Sequence, residues 1–183
     1  MRIFLLSALF ILFSASSQPK GMVMGWDIQC FYMPVVQEYK TWCVHACKEM
    51  ILGEPQCMYA IDWLKYSRGN LPDYLDCCPK VLSDEHDCIV YGTIPDNEIC
   101  SYLRSSCHTL VFGYRVRLWD FLGGASKQAQ VAFMSSKVSG RNHLLLIISI
   151  LRMNMDKYVI TYCNPSTGRI LDFETYSDIE IIY

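Results

Sequence analysis

The sequence predicts an α+β fold in which a helical, cysteine-rich first half packs against an antiparallel β-sheet formed by the second half. Two observations lead to this prediction. After Cys43, apolar or small side chains recur at Ala46, Cys47 and Met50, which is the spacing of one helix face. From Thr109 onward the pattern changes to short runs of β-branched and aromatic residues, which are typical of strands.

The first half is predicted to contain three helices. The first begins at Cys43, covers residues 44–52 and ends at Gly53-Glu-Pro55, because glycine and proline are common where helices stop. Two further helices are expected at residues 58–66 and 97–103. A loop is expected between them at residues 76–87.

Five strands are predicted in the second half, at residues 110–112, 131–134, 144–151, 158–163 and 170–173. The segment 123–130 is ambiguous and is left unassigned. The third and fourth strands are expected to form a hairpin centred on Met153 and Asn154. In that register His143 would lie opposite Asn164.

The N-terminus has the features of a secretory signal peptide. Met1-Arg2 is followed by an apolar run from Ile3 to Phe13 and then by Ser14-Ala-Ser-Ser17. We therefore expect a leader at residues 1–17, a single domain at 18–183, and a secreted or periplasmic protein. The apolar run is too short to span a bilayer, so no membrane attachment is expected after cleavage. A buried N-terminal helix is the alternative interpretation.

The composition argues against several other classes of function. The formal net charge is −2, and no basic run is interleaved with aromatic residues, so a nucleic-acid partner is not expected. No pattern in the sequence requires a cofactor or a metal ion. A monomer that acts on a protein or peptide is the expected form.

Ten cysteines in a chain with a signal peptide indicate an oxidising compartment and predict disulfides. If Cys43 stays reduced, nine cysteines remain and cannot all pair. Cys47, one helical turn after Cys43, is the preferred unpaired thiol, and the segment from Cys57 to Cys107 is the expected disulfide region. A zinc site is the alternative for that dense segment, although no Cys-x-x-Cys pair is present.

Cys43 is the predicted nucleophile. Free N–H groups and the helix dipole favour a thiolate at a helix N-terminus, so we expect a lowered thiol pKa. Gln37 lies shortly upstream, and its side-chain amide together with the Cys43 N–H would stabilise an oxyanion. His143, which precedes a long apolar run, is the candidate base. Asn164 would fix the tautomer and orientation of its ring.

Two other residues are weaker candidates. His45 is close to Cys43 in sequence, but side chains two positions apart on a helix do not face each other, so we interpret it as a surface or cleft-rim residue. A slip of one residue in the hairpin would turn Asn164 away from His143. Asp172 would then be the next candidate for the orienting group.

The order of these residues resembles the papain-like cysteine peptidases, and more closely the compact bacterial members such as staphopain-like enzymes, effector peptidases and peptidase domains of bacteriocin exporters. The resemblance runs from about Met33 to the C-terminus. It rests on Gln37, Trp42-Cys43-Val-His-Ala46, Asn142-His143-Leu-Leu-Leu and Asn164-Pro-Ser-Thr-Gly168. Secreted members also tend to carry Gln-Cys and Cys-Cys pairs, here Gln56-Cys57 and Cys77-Cys78.

The resemblance implies a papain-like fold with the active-site cleft between the two halves, and a peptidase with a Cys43–His143–Asn164 triad and a Gln37 oxyanion hole. The chain departs from the family pattern at Val44-His45, where Trp-Ala is usual, and at Asn142, where glycine is usual. Two alternatives remain open. Beside the peptidase, the chain would be an inactive, disulfide-stapled binding module on the same scaffold, or a Cys-His acyltransferase such as a transglutaminase.

Overall fold

The predicted α+β class is confirmed. The computed structural model describes residues 25–69, 93–138, 141–154, 157–176 and 179–183. Within these ranges the chain forms four α-helices: α1 Cys43–Leu52, α2 Gln56–Arg68, α3 Asp96–Ser106 and α4 Leu118–Gly123, the last followed by a 3-10 turn at Ala125–Lys127. It also forms seven strands: β1 Gly25–Asp27, β2 Arg115–Arg117, β3 Ala132–Val138, β4 Arg141–Arg152, β5 Tyr158–Asn164, β6 Arg169–Thr175 and β7 Glu180–Ile182.

Three of the four helices form where the sequence predicts them, and α4 was not predicted. α1 begins at Cys43 and ends at Gly53, whose φ of 83° lets its N–H bond the Glu49 carbonyl at 2.9 Å. α2 and α3 each start after a proline in extended conformation, Pro55 and Pro95. All three predicted helices are therefore confirmed, with ends that differ by a few residues.

The strands form one open antiparallel sheet with β4 as its longest member. The strand order is β2-β7-β3-β4-β5-β6, and β1 also pairs with β4. On one edge, β4 pairs first with β3 and then with β1. On the other edge, its pairing with β5 begins only at Leu146. The first residues of β4 therefore have an edge that β5 does not cover, and α1 packs at this end of the strand.

Side chains of β4 alternate between two apolar clusters because successive residues of a strand point to opposite faces. Leu144 and Leu146 pack with residues of α1, α2 and α3. Leu145 and Ile147 pack on the other face with residues of α4 and with Trp26 of β1. The sheet thus has helices on both faces, and His143, at the start of β4, falls among the odd-numbered residues.

One predicted strand is wrong, and three strands, β1, β2 and β7, were not predicted. Residues 110–112 form a turn rather than a strand, because the N–H groups of Leu110 and Val111 both bond the Cys107 carbonyl at 2.8 Å. The chain becomes extended only at β2, which pairs with β7. β1 and β7 are three residues long, which is too short to produce a periodic pattern.

The predicted register of the β4–β5 hairpin is also wrong. Leu146 pairs with Cys163 and Arg152 pairs with Tyr158, so Asn164 is not directly opposite His143. The turn lies further along the chain than Met153, and the register shifts at a bulge between Ile147 and Ser149. At the Cys163 end the difference from the expected register is two residues, which leaves each side chain on its expected face.

Several predictions fall outside the described residues. The signal peptide at residues 1–17 is among them, as are Cys77, Cys78 and Cys88. The other seven cysteines form no disulfide with one another, so the described part of the expected segment, from Cys57 to Cys107, is not cross-linked. No helix in the described ranges is long and apolar enough to cross a membrane.

Gly168 closes the turn between β5 and β6, and replacing it should destabilise the fold. Its φ is 62°, and an added Cβ would lie 2.9 Å from Val36 Cγ2. We expect Gly168→Ala to lower the free energy of unfolding by about 1–3 kcal/mol, measured by urea denaturation. Gly123→Ala is the matched control, since a Cβ there meets nothing within 4 Å. Equal stability of the two variants would contradict this account.

Candidate active site

Cys43 is the first residue of α1, and the residue before it anchors the helix. Trp42 is 1% exposed and packs edge-on against Tyr39, with a ring-centroid distance of 4.5 Å. Cys57 and Ala60 of α2 complete this small cluster. The first turn of α1 has no side-chain cap, so its position depends on packing and on the contacts of its backbone and thiols.

The thiols of Cys43 and Cys47 both contact Leu144, on the edge of β4 that β5 does not cover. The backbone N–H of Leu144 bonds the Cys43 sulfur. The carbonyl of Leu144 accepts a hydrogen bond from Cys47 Sγ at 3.7 Å. The N–H and C=O of one residue in an extended strand point to the same side, so a single residue holds two successive turns of α1. Cys43 is thereby fixed next to the residue that follows His143.

Burial, rather than the helix terminus, dominates the ionisation of Cys43. Its side chain is 8% exposed, and desolvation raises the pKa of the thiol above its ordinary value. Hydrogen bonds from the N–H groups of Leu144, Val44 and Cys43 itself lower the pKa but do not outweigh burial. The expected low pKa is therefore wrong, and the thiol is protonated near neutral pH.

His143 and Asn164 are in contact, as predicted, despite the different strand register. His143 is 6% exposed, and its Nε2 lies 3.0 Å from Asn164 Oδ1. In the observed register the two residues are diagonal neighbours on adjacent strands, and such pairs remain within reach of long side chains. The predicted contact between the imidazole and the amide is thus confirmed.

Ser166 determines which tautomer of His143 fits this arrangement. Its backbone N–H donates to Asn164 Oδ1 at 2.9 Å, which identifies that atom as the amide oxygen. Because an amide oxygen can only accept, His143 Nε2 must carry the hydrogen. The other ring nitrogen, Nδ1, is then unprotonated in the neutral ring and is the atom able to accept a proton.

The hydroxyl of Ser166 links His143 to Gln37. Ser166 Oγ lies 3.1 Å from His143 Nε2 and donates to Gln37 Oε1 at 3.4 Å. The Nε2–H can therefore be shared between the Asn164 amide oxygen and the Ser166 oxygen. The Gln37 backbone N–H donates to the Pro165 carbonyl at 2.7 Å, so the 165–168 turn holds both the side chain and the main chain of Gln37.

The structure does not join all four predicted residues by hydrogen bonds. His143, Asn164 and Gln37 belong to one network through Ser166. Cys43 contacts Leu144 instead. Among the residues that the structure describes, no hydrogen bond connects the Cys43 thiol to His143 or Gln37. Gln37 Nε2 donates one of its hydrogens to the Tyr39 carbonyl at 2.9 Å, which leaves a second donor on the same nitrogen.

The two weaker candidates are not at this site. His45 is fully buried and packs edge-on against Trp42 and Tyr102, so its interpretation as a surface or cleft-rim residue is wrong. Asp172 lies on β6, where its carboxylate accepts a hydrogen bond from Thr161 at 2.8 Å.

A pocket of about 290 Å³ opens beside Cys43. Its apolar wall is formed by Val44, Ile94 and Ile99, and its polar lining includes Lys40 and Asp96. The pocket lies between the start of α1 and the start of α3. An apolar side chain of a bound molecule would fit against this wall while the rest of that molecule reaches the thiol.

Sequence reasoning missed Ser166, although a signal for it exists. An Asn side chain commonly bonds the backbone N–H two residues later, and Asn164-Pro-Ser166 has this spacing. The zinc alternative gains no candidate from the described residues, where no group of three or more His, Cys, Asp or Glu side chains is arranged to hold a metal ion.

Comparisons with protein-family models, with curated proteins and with solved structures found no significant match to this chain.

The raised pKa of Cys43 predicts how its labelling depends on pH. The thiolate fraction of a protonated thiol rises about tenfold per pH unit below its pKa, so the rate of alkylation by iodoacetamide should climb continuously from neutral into alkaline pH. Labelling is measured by mass spectrometry of the Cys43 peptide, with Cys43→Ala as the control for other thiols. A plateau below pH 7 would instead indicate an ion pair between a Cys43 thiolate and imidazolium.

Removing the Ser166 hydroxyl should weaken the support of His143 without disturbing the turn. We expect Ser166→Ala to lower kcat about 3- to 10-fold with little change in KM, the effect of losing one hydrogen bond of ordinary strength. Thr167→Ala is the control, because Thr167 is exposed in the same turn and its hydroxyl contacts only the Asn164 carbonyl, at 3.5 Å. Equal losses in both variants would show that the turn, rather than the hydroxyl, matters.

Proposed function

We propose that this protein is a secreted or periplasmic cysteine peptidase of the papain-like type, which hydrolyses peptide bonds with Cys43 as nucleophile. The observation that carries the proposal is the hydrogen bond from His143 Nε2 to Asn164 Oδ1 at 3.0 Å. It leaves Nδ1 as the basic nitrogen on a ring that adjoins Leu144, the residue whose N–H contacts the Cys43 sulfur.

The first half of the reaction is acyl transfer to sulfur. The Cys43 thiol loses its proton to His143 Nδ1 as the sulfur attacks the peptide carbonyl, because the resting thiol is not ionised. A substrate must therefore bring the sulfur and Nδ1 within reach, since active-site hydrogen bonds are often long before substrate binds. The imidazolium then gives that proton to the leaving amine, and a thioester remains on Cys43.

The second half is hydrolysis of the thioester. His143 Nδ1 removes a proton from water, which attacks the thioester carbonyl and releases the carboxylic acid product, and the thiol recovers its proton. Asn164 and Ser166 hold the ring in one tautomer and stabilise its positive charge through the Nε2–H in both steps.

Oxyanion stabilisation is assigned to Gln37 and to the Cys43 backbone N–H. The Gln37 amide retains one N–H beyond the one bonded to Tyr39, and its orientation is held by Ser166. The pocket beside Cys43 supports a peptide or protein substrate with an apolar side chain close to the cleaved bond.

Variants of the two reacting groups test the proposal. Cys43→Ser and His143→Ala should each abolish hydrolysis of an unfolded protein substrate, with turnover measured by release of new amino termini. Cys30→Ser is the matched control, because Cys30 is half-buried and its thiol only donates to the Ile51 carbonyl at 3.2 Å, which a hydroxyl can replace. Wild-type turnover in Cys43→Ser would end the proposal.

The same assay separates the proposal from the two alternatives. A wild-type chain that binds unfolded protein without cleaving it would identify the inactive binding module. A chain that transfers the acyl group to an added amine in preference to water would identify the acyltransferase. Hydrolysis that remains the main reaction in the presence of the amine supports the peptidase.

Loss of the Gln37 amide should affect the transition state. We expect Gln37→Ala to lower kcat about 10²- to 10³-fold and to leave KM nearly unchanged, because an oxyanion donor acts on charge that develops only in the transition state. Steady-state kinetics on a peptide substrate measure both constants. A rise in KM alone would move Gln37 to a role in substrate binding.

A further inference from the structure

Gln56 is a buried polar side chain near the site, and the proposed reaction does not use it. It is the first residue of α2 and is 2% exposed. Its side-chain oxygen accepts a hydrogen bond from the Glu38 backbone N–H at 2.9 Å. Its nitrogen donates to the Val36 carbonyl at 2.9 Å. The two main-chain groups belong to the residues on either side of Gln37.

Glu49 of α1 fixes the orientation of this amide. Gln56 Nε2 also donates to Glu49 Oε2 at 2.9 Å. Because a carboxylate only accepts, the nitrogen of the amide must face Glu49, and the oxygen must then face the Glu38 N–H. Both N–H donors of the amide are occupied, and its oxygen accepts one hydrogen bond. Glu49 lies on the helix that carries Cys43, so the network extends from the nucleophile's helix to the segment carrying Gln37.

We propose that Gln56 is a positioning residue that sets the Gln37 amide relative to Cys43. This inference rests on the proposed function, because it assumes that Gln37 acts on the oxyanion. Residues 36–38 belong to no helix or strand, so their place depends on such contacts. The Pro165 carbonyl holds the Gln37 N–H from one side. Gln56 holds the peptide groups before and after Gln37 from the other.

The three partners of Gln56 explain why an amide is needed at this position. A hydrophobic side chain would fill the space but leave the Val36 carbonyl and the Glu38 N–H without their partner. A carboxylate would lose both donors and would face the Glu49 carboxylate. Only a side chain with two donors and one acceptor, long enough to reach residues 36 to 38 from α2, satisfies all three partners.

A double-mutant cycle with Gln37 tests this role. Gln56→Ala should lower kcat about 10- to 100-fold with little change in KM, since a displacement near 1 Å of a catalytic group has an effect of this size. In the Gln37→Ala background, Gln56→Ala should cause no further loss of kcat, because there is then no amide to position. If the fold-losses in kcat of the two single mutants multiply in the double mutant, the inference is overturned and Gln56 has a general structural role.

Two further variants separate positioning from stability. Gln56→Met keeps the volume of the side chain and should reproduce the loss in kcat if Gln56→Ala does not fold. Ser106→Ala is the control for lost stability. It removes the hydrogen bond within α3 from Ser106 Oγ to the Tyr102 carbonyl, which is 2.8 Å long, and should lower the melting temperature while keeping wild-type kcat. Wild-type kcat in Gln56→Met would also overturn the inference. A wild-type chain without any turnover would instead overturn the proposed function and this inference with it.

Discussion

The contacts that hold α1 to the backbone of Leu144 are the interactions on which the arrangement of the site depends. β5 pairs with β4 only from Leu146 onward, so the N–H and C=O of Leu144 are available to a neighbour other than β5. The thiols of Cys43 and Cys47 take these positions. A longer β5 pairing would occupy the same edge and exclude the helix. Cys43 is therefore held next to the residue that follows His143, at the place where strand pairing stops.

Packing α1 against β4 buries the Cys43 thiol, and burial disfavours its ionised form. Desolvation raises the pKa of Cys43 in spite of three N–H groups and the helix terminus. In the proposed reaction the arrangement around His143 compensates, since Asn164 and Ser166 assign the hydrogen to Nε2 and leave Nδ1 to accept the thiol proton. The proposed reaction therefore starts from a protonated thiol and a neutral imidazole held in one tautomer, rather than from a resting ion pair.

The sequence was sufficient for α1, α2, α3, the long strands and the His143–Asn164 contact, and insufficient for α4, for the strand register and for burial. The pairing near the turn differs from the predicted register by three residues, and the bulge after Ile147, which has no signal in a run of apolar residues, reduces the difference to two. The contact survived because a shift of two keeps side chains on the same face.

The expectation that His45 lies at the surface is wrong for a different reason, because eight of the ten residues of α1 are buried, His45 among them. Lys48 is fully buried, with Nζ 4.2 Å from the centre of the Tyr59 ring and 2.9 Å from Tyr102 Oη. The environment of Lys48 is formed by residues distant in the chain, so a local sequence pattern does not reveal it. The same holds for the hydrogen bonds from Ser166 and Gln56 to the segment around Gln37.

A crystal structure of the protein reacted with a peptide aldehyde would test the central claim most directly. An aldehyde forms a hemithioacetal whose oxygen takes the place of the oxyanion. The account predicts a covalent bond to Cys43 Sγ, His143 Nδ1 facing that sulfur, and the new oxygen about 3 Å from the Cys43 N–H and Gln37 Nε2. An adduct on another cysteine, or a His143 ring that remains turned away from the modified sulfur, would contradict it.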